Sequence, residues 1–333
     1  MAKIAINGMG RIGRATLKIT LDTPDLDVVA VNDLLPVEDI AYLLRFDSVY
    51  GRYQKEVRVE GRDLYVGGKQ VRFFSEKNPE ELPWGDLGVD MVLECTGKLV
   101  KKDDLEKHLK AGARMAVLSA PSKSDDVPTV VYGVNDPEGR LRVFSCASCT
   151  TNAIAPVMEI MDRRVGVEKA IMTTVHAYTS SQSLVDGPNK KRRRGRAAGV
   201  NMVPSSTGAA IATTKALPQL TGRFDGVAIR VPLPTGSLAD ITFLAKRQVT
   251  VDEINKIFRE ESGSERYKGV LGVNDEDIVS SDIVMDPRAS IMDATLTQVV
   301  DGNLVKVMAW YDNEWGYASQ MVREVREIAS QQF

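Results

Sequence analysis

The sequence contains little of what several classes of protein require. Of its 333 residues only three are cysteines, Cys95, Cys146 and Cys149, an odd number that is too small for a disulfide framework. No apolar run approaches the roughly 18 residues of a membrane span, and the N-terminal residues lack the apolar stretch of a secretion signal. We therefore expect a protein of a reducing, cytoplasmic compartment with no membrane partner.

An excess of either charge is also missing. The 43 lysine and arginine residues nearly balance the 45 aspartate and glutamate residues, so the charge does not predict nucleic acid as the main partner. Hydrophobic residues make up 43% of the chain and charged residues 26%, as in ordinary folded domains, and the length suggests two domains. Because no set of cysteines and histidines has metal-binding spacing, we predict no metal site.

The first half of the chain alternates short apolar runs with amphipathic stretches. We predict strands over residues 3–7, 27–32, 89–95, 115–119 and 129–134, and helices over residues 11–21 and 101–110. Such alternation is typical of a parallel sheet that is covered by helices on both faces.

After Cys149 the pattern changes to strands with fewer helices between them. We predict strands over residues 170–175, 224–232, 238–246, 294–300 and 305–311, and helices over residues 152–164 and 317–330. A mostly antiparallel sheet is therefore expected in a second domain. The predicted class is α/β, with a doubly wound domain formed by residues 1–148 and the C-terminal helix 313–333, and an α+β catalytic domain formed by residues 149–312.

A glycine-rich turn opens the first predicted helix. Gly8, Gly10 and Gly13 form a GxGxxG pattern directly after the first strand. The first glycine permits a tight turn, the second lets the backbone approach a pyrophosphate, and the third lets the helix pack closely on the strand. Asp33 follows about 20 residues later, where a carboxylate would bind the ribose hydroxyls of NAD and repel the extra phosphate of NADP. The pattern predicts a Rossmann-type NAD-binding domain.

Cys149 is the predicted nucleophile. It stands near the start of a predicted helix, where the helix dipole would favour the thiolate. Of the two histidines, we expect His108 to face solvent on its charged helix, whereas His176 ends an apolar strand at the opening of a loop, a position typical of a general base. We therefore predict that Cys149 and His176 form a catalytic pair.

Cys146 and Cys149 also form a CxxC pattern, which occurs in thioredoxin-like redox proteins. The surrounding sequence lacks the pattern of such a small domain, so we favour the nucleophile interpretation. A disulfide between these two cysteines under oxidation stays open, and Cys95 is predicted to lie in the core.

Six sequence segments carry a resemblance to a known family. They are AKIAINGMGRIG at residues 2–13, ASCTTN at 147–152, TVH at 174–176, PSSTGA at 204–209, RVP at 230–232 and WYDNEWGY at 310–317. In this order they resemble phosphorylating glyceraldehyde-3-phosphate dehydrogenases over nearly the whole chain. The ASCTTN and WYDNEWGY segments are the most specific.

The resemblance implies a glycolytic or gluconeogenic enzyme that oxidises glyceraldehyde 3-phosphate with NAD. Cys149 would attack the aldehyde to give a hemithioacetal, and His176 would take the hydroxyl proton during hydride transfer. Inorganic phosphate would then release 1,3-bisphosphoglycerate from the thioester that results. The resemblance also implies a homotetramer.

The resemblance further implies roles for individual residues. Besides the glycines, the implied cofactor contacts are Arg11, Ile12, Asp33, Lys77, Ser119, Asn313 and Tyr317. The implied ligands of the substrate phosphate are Thr179 and Arg230, and those of inorganic phosphate are Ser148, Thr150, Thr207 and Gly208. Hydroxyls, backbone N–H groups and a guanidinium suit tetrahedral oxyanions of this kind.

The chain departs from the family at three places. Met9 stands where an aromatic residue is usual, and Ser181 occupies a position that is acidic in some members. Residues 189–196 (NKKRRRGR) are unusually basic. We interpret this basic run first as a loop at a subunit interface, and alternatively as a cluster that accommodates the 2′-phosphate of NADP or binds polyanions. NAD is favoured, and NADP use is left open.

Two alternative functions are considered. An erythrose-4-phosphate dehydrogenase would share the fold and the nucleophile but would not need tight phosphate binding. Thr207 and Gly208, as implied ligands of inorganic phosphate, argue against this alternative. A polyanion-binding protein that uses residues 190–196 would bind RNA in a salt-dependent manner.

Overall fold

The computed structural model of the chain describes residues 1–136, 139 and 141–333. Within them, contacts between Cα atoms separate two compact units. Of the described residues, the first unit contains Met1–Val130, residues 139 and 141–147, and Met321–Phe333. The second contains Val131–Asp136 and Ser148–Gln320.

Strands and helices alternate along most of the first unit. Its strands are β1 (Ala2–Asn7), β2 (Leu26–Asn32), β3 (Phe46–Asp47), β4 (Gly51–Arg52), β5 (Val57–Glu60), β6 (Asp63–Val66), β7 (Lys69–Phe74), β8 (Met91–Glu94), β9 (Met115–Leu118) and β10 (Val143–Ser145). Its helices are α1 (Arg11–Thr20), α2 (Val37–Arg45), α3 (Trp84–Leu87) and α4 (Lys102–Lys110), with a short 3-10 helix at Pro79–Glu81.

One sheet forms the framework of this unit, with the strand order β10-β9-β8-β1-β2-β7-β6-β5. The strands from β10 to β7 pair in parallel, and β7, β6 and β5 form an antiparallel meander at one edge. β8 and β9 are buried at every position, as parallel strands are when both faces are covered. The predicted doubly wound, parallel sheet is confirmed.

The strand predicted over residues 129–134 is wrong. Thr129 forms an isolated bridge with Ser145, and the chain turns directly afterwards. Gly133 adopts φ +74°, and the N–H of Val134 donates to the carbonyl oxygen of Val131 at 2.9 Å. The β-branched residues of this segment favour a strand, but the left-handed glycine closes a turn instead.

The second unit is built mainly from strands. They are β11 (Val167–Ala177), β12 (Val203–Ser206), β13 (Phe224–Val231), β14 (Ser237–Ala245), β15 (Leu271–Asn274), β16 (Ser290–Asp293), β17 (Gln298–Val300) and β18 (Leu304–Tyr311). The helices that begin in this unit are α5 (Cys149–Arg164), α6 (Ala209–Ala216), α7 (Val251–Ser262) and α8 (Trp315–Gln332), with 3-10 helices at Arg192–Gly195, Pro218–Leu220 and Ala294–Leu296.

The sheet of the second unit has the order β12-β13-β11-β14-β18-β16-β15, with β17 beside β18. Its pairs are antiparallel except β11 with β13 and β15 with β16, so the predicted antiparallel character is confirmed. The strand predicted over residues 294–300 is wrong in its first half. There the Asp293 carboxylate accepts from the N–H of Thr295 at 3.1 Å and begins a 3-10 turn.

The end of α8 completes the core of the first unit. Met321, Val322, Val325 and Ile328 belong to the same cluster of buried apolar side chains as β1 and β2. No helix in the described part of the chain is both long and apolar enough to cross a membrane.

Candidate active site

The glycine turn between β1 and α1 has the geometry that its sequence predicts. Gly8 adopts φ +94°, and a Cβ atom there would lie 2.7 Å from the backbone nitrogen of Thr96. A Cβ atom on Gly13 would overlap the carbonyl oxygen of Gly8. Gly10, the N-cap of α1, instead faces open space, so a phosphate group can approach the free N–H groups of the helix. The turn therefore fits a dinucleotide.

A cavity of about 380 Å³ adjoins this turn. Of the predicted cofactor residues, Gly8, Gly10, Asp33 and Lys77 line it. Arg11, Ile12 and Gly13 lie in the first turn of α1, and Ser119 directly follows β9. The cavity thus brings four of the predicted cofactor residues together within the first unit.

Asp33 is held in place by the backbone. One carboxylate oxygen accepts from the N–H of Met9 at 2.6 Å and the other from the N–H of Leu35 at 2.9 Å. Each oxygen keeps a lone pair for a ribose hydroxyl, and the negative charge opposes a 2′-phosphate. Lys77 and Lys98 line the same cavity, and their positive charges would attract such a phosphate.

The predicted catalytic pair meets within the second unit. Cys149 is the first residue of α5, and the Ser148 hydroxyl caps this helix by accepting from the N–H of Thr151 at 3.1 Å. His176 lies near the end of β11. The Cys149 Sγ atom is 3.4 Å from the Nε2 atom of His176, which is within reach for proton transfer.

Burial governs the protonation of this pair. It raises the pKa of the Cys149 thiol, although the Arg230 guanidinium and hydrogen bonds from Thr150 act to lower it. Burial and the charge of Arg230 lower the pKa of His176 to about 3. Both shifts favour the neutral form of the group concerned. The helix N-terminus is expected to favour the thiolate, and burial of the thiol acts in the opposite direction.

The sheet register places Arg230 beside the base. β11 and β13 pair in parallel with His176 opposite Arg230. The Nδ1 atom of His176 lies 2.7 Å from the carbonyl oxygen of Ala177 and 2.6 Å from Nη1 of Arg230. When Nδ1 carries the proton it donates to Ala177, and Nε2 is free to accept a proton. When Nδ1 is bare it accepts from Arg230, and Nε2–H points at the thiol. Each tautomer thus has a partner.

The guanidinium of Arg230 is also suited to an anion. Its Nε atom is buried and has no hydrogen-bond partner among the described residues. Nearby, the Thr179 hydroxyl lies 2.8 Å from that of Ser181, to which Arg194 donates at 3.3 Å. Arg194 contributes to lowering the pKa of His176 as well. It is a site residue that sequence reasoning assigned only to the basic run.

The remaining predicted phosphate ligands lie where helices begin. Thr207 and Gly208 precede α6, and Ser148 precedes α5. The Thr207 hydroxyl accepts from the N–H of Ala209 at 3.1 Å. These two helices pack against each other within the second unit.

Tyr311 is a site residue that the sequence did not single out. Its buried hydroxyl lies 3.0 Å from that of Thr150 and 2.8 Å from that of Thr174, and its ring meets the His176 ring edge-on. It therefore links the first turn of α5 to the strand that carries the base. Only the WYDNEWGY resemblance marks this position, because the partners lie 161 and 137 positions away.

Asn313 follows β18 and is held by the second sheet. Its Oδ1 atom accepts from the Ser237 hydroxyl at 2.9 Å, which leaves Nδ2 as a donor of the kind that a carboxamide oxygen requires. Tyr317 is buried in the first turn of α8.

The other histidine and the other cysteines are buried. His108 is fully buried rather than exposed, so that prediction is wrong; its ring contacts Trp84 and Glu94, which a charged helical sequence does not reveal. Cys95 and Cys146 are buried as well, and burial raises the pKa of both thiols, of Cys95 to about 12. Among the three thiols only that of Cys149 is partly exposed.

The basic run (residues 189–196) contains side chains that bind neighbouring residues and others that are exposed to solvent. Arg194 and Lys191 donate to serine hydroxyls in β12, and Arg196 pairs with Asp186 at 2.8 Å. Lys190, Arg192 and Arg193 are exposed.

We expect the alkylation of Cys149 to report the pKa of its thiol. Because only the thiolate reacts, the rate with iodoacetamide should rise with pH above 8.5, without a plateau at neutral pH. Replacing Arg230 with glutamine removes a charge that lowers the pKa of the thiol, so the rate at pH 8 should fall about three- to tenfold. Arg196→Gln, an exposed control, should leave the rate unchanged. A plateau below pH 7 in the unaltered protein would contradict the raised pKa of the thiol.

Comparison with known proteins gives matches over almost the entire chain. A family model described as the NAD binding domain of glyceraldehyde 3-phosphate dehydrogenase matches residues 2–102, and one described as the C-terminal domain of that family matches residues 148–313. The chain is 47% identical to a glyceraldehyde-3-phosphate dehydrogenase of Clostridium acetobutylicum over 336 residues, 99% of each chain. For those of Streptomyces coelicolor and Geobacillus stearothermophilus the identities are 46% and 44%, over 96% and 98% of each chain.

Proposed function

Because the chain belongs to the glyceraldehyde-3-phosphate dehydrogenase family, we propose that it oxidises and phosphorylates D-glyceraldehyde 3-phosphate to 1,3-bisphosphoglycerate with NAD, through a thioester on Cys149. The distance of 3.4 Å between the Cys149 Sγ and the His176 Nε2 atoms is the observation that supports this mechanism most directly. It places a nucleophile and a general base in one site.

The steps follow from the chemistry of these two side chains. The Cys149 sulfur bonds to the aldehyde carbon and releases its proton, while the carbonyl oxygen gains one, which gives a hemithioacetal. NAD, when bound, supplies the acceptor for the hydride. The His176 Nε2 atom takes the hydroxyl proton as the hydride leaves, so the carbon becomes a thioester. A phosphate oxygen then bonds to that carbon, and the Cys149 sulfur departs as a thiolate.

The cofactor would be held by the residues at the glycine turn, with Asp33 binding the ribose. Of the other residues implied by the resemblance, Lys77 and Ser119 would contact the adenine and nicotinamide sides, and Asn313 would hold the carboxamide. Its Nδ2 donor, left available by the bond from Ser237, supports that role. Residues 1–148 with 313–333 would thus form the NAD-binding domain, and residues 149–312 the catalytic domain.

Two groups of residues would bind the two phosphates. The unpartnered Nε atom of Arg230 supports a site for the substrate phosphate, together with Thr179. Ser148, Thr150, Thr207 and Gly208 would bind the attacking phosphate; their place at the starts of α5 and α6 supports this, because helix N-termini favour anions.

Steady-state assays test the overall reaction. Sustained NADH formation from glyceraldehyde 3-phosphate should require phosphate or arsenate, because either is needed to release the acyl group from Cys149. Without them only one equivalent of NADH per active site should form. Sustained turnover that ignores phosphate, or that is faster with erythrose 4-phosphate, would favour the erythrose-4-phosphate dehydrogenase alternative. The same assay with NADP decides whether Lys77 and Lys98 offset Asp33.

We also propose a cytoplasmic homotetramer. Large apolar side chains stand exposed on the second unit around the basic run, with Leu184, Val185, Val200 and Met202 each more than 70% exposed. Apolar side chains grouped in this way favour a contact between protein surfaces. The exposed lysine and arginines of the basic run would then lie at a subunit interface rather than on a polyanion-binding face.

A further inference from the structure

The buried His108 has a defined hydrogen-bonding role. It is fully buried on α4, with Nδ1 at 3.1 Å from the indole Nε1 of Trp84 and Nε2 at 3.1 Å from a carboxylate oxygen of Glu94. An indole N–H can only donate, so Nδ1 of His108 must accept. The Nε2 atom therefore carries a proton and donates it in a hydrogen bond to Glu94. The tautomer is fixed by its neighbours.

Glu94 receives several further donors. This last residue of β8 is fully buried, and it accepts from the Asn7 amide at 2.6 Å, from the N–H of Thr96 at 2.8 Å and from the Thr96 hydroxyl. With His108, four donors converge on its two oxygens. A carboxylate can accept four such bonds, so it suits this place far better than a neutral amide, which brings donors of its own.

The network continues to the wall of the cofactor cavity. The Asn7 Oδ1 atom accepts from the amide of Asn32 at 2.7 Å, and that residue exchanges hydrogen bonds with the backbone of Glu76 at 2.8 and 2.9 Å. Asn7, Asn32, Glu76 and Thr96 all line the 380 Å³ cavity. The backbone of Thr96 also bounds the glycine turn at Gly8.

We propose that Glu94, oriented by His108, is a positioning residue for NAD. Three of the four donors to Glu94 come from Asn7 and Thr96, whose other atoms form the cavity wall. A buried pair with a purely structural role could have all its hydrogen bonds within the core. His108 and Glu94 instead hold two residues that line the cofactor cavity, Asn7 and Thr96. Cavity walls that are ordered before NAD binds lower the entropy cost of binding, and so they lower the Kd for NAD. The inference rests on the proposed use of NAD.

The test compares three variants by the dissociation constant for NAD, measured by calorimetry, and by Tm. Glu94→Gln keeps the shape but turns an acceptor into a donor, so the Kd for NAD should rise about tenfold or more. His108→Gln keeps a donor for Glu94 on a more flexible chain and should raise Kd about two- to fivefold. Tyr267→Phe, the matched control, removes a buried hydrogen bond to Glu159 in the second unit, outside the network of His108 and Glu94. It should lower Tm and leave Kd within twofold of the unaltered protein.

The outcomes separate positioning from general stability. In Glu94→Gln, the rise in KM for NAD should exceed any fall in kcat. A Kd within twofold for both Glu94→Gln and His108→Gln would overturn the proposal, and so would an equal rise in Tyr267→Phe. Should Glu94→Gln not fold, His108→Gln and Tyr267→Phe decide alone, and equal Kd values would again overturn the proposal. Failure of the unaltered protein to bind NAD would instead refute the proposed function.

Discussion

Replacing Cys149 with serine is expected to lower the rate of NADH formation by a factor on the order of 10⁴–10⁶, as loss of a nucleophile does in enzymes with covalent mechanisms. A serine hydroxyl is far harder to ionise than a thiol, so it attacks the aldehyde far more slowly. The measurement is the first turnover of NADH at saturating NAD and substrate. Binding of NAD should persist, because the glycine turn and Asp33 are untouched.

Cys146→Ser is the matched control for this variant. Cys146 lies three residues earlier and is buried, and burial raises the pKa of its thiol well above the ordinary value. The control should lose some stability, through the burial of a hydroxyl, and should retain turnover. Activity above a few per cent in Cys149→Ser would remove this sulfur from the mechanism.

Replacing His176 with asparagine is expected to slow the first turnover about 10²–10⁴-fold, the typical contribution of a general base. The amide can occupy much of the space of the imidazole and can bond to Ala177, but it cannot accept a proton from the hemithioacetal. Single-turnover formation of NADH at saturating NAD measures this step. The dissociation constant for NAD should change less than threefold.

A second measurement guards against a purely structural explanation for His176. Alkylation of Cys149 by iodoacetamide does not require the base, so His176→Asn should still react and should keep a rate that rises with pH. A variant that alkylates normally and also acylates at the original rate would exclude His176 as the base.

Features set by local backbone constraints could be predicted from sequence. The turn at Gly8 and Gly13 admits no side chain, so the sequence records the geometry directly. The fully apolar runs of β8 and β9 likewise predict buried parallel strands. The Cys149–His176 pair followed from the scarcity of histidine and from the ends of predicted elements.

Features that depend on packing could not be predicted. The burial of His108 depends on Trp84 and Glu94, which come from other elements of the sheet and its covering helices. The raised pKa of the Cys149 thiol depends on desolvation, which no local pattern encodes. The turn at Gly133 overrides the strand propensity of its neighbours, and Arg266, 133 positions away, donates to the Gly133 carbonyl oxygen at 2.6 Å.

The contact between Arg230 and His176 has a consequence for how the enzyme discriminates among aldehydes. Burial and, second to it, the positive charge of this guanidinium lower the pKa of the imidazole, so a dianion bound to Arg230 would remove the second effect and raise the basicity of His176. An aldehyde that lacks a phosphoryl tail would leave the base suppressed and would therefore be poor in kcat as well as in KM. In the proposed phosphate site, the phosphoryl tail of the substrate would thus assist the chemistry at its aldehyde end.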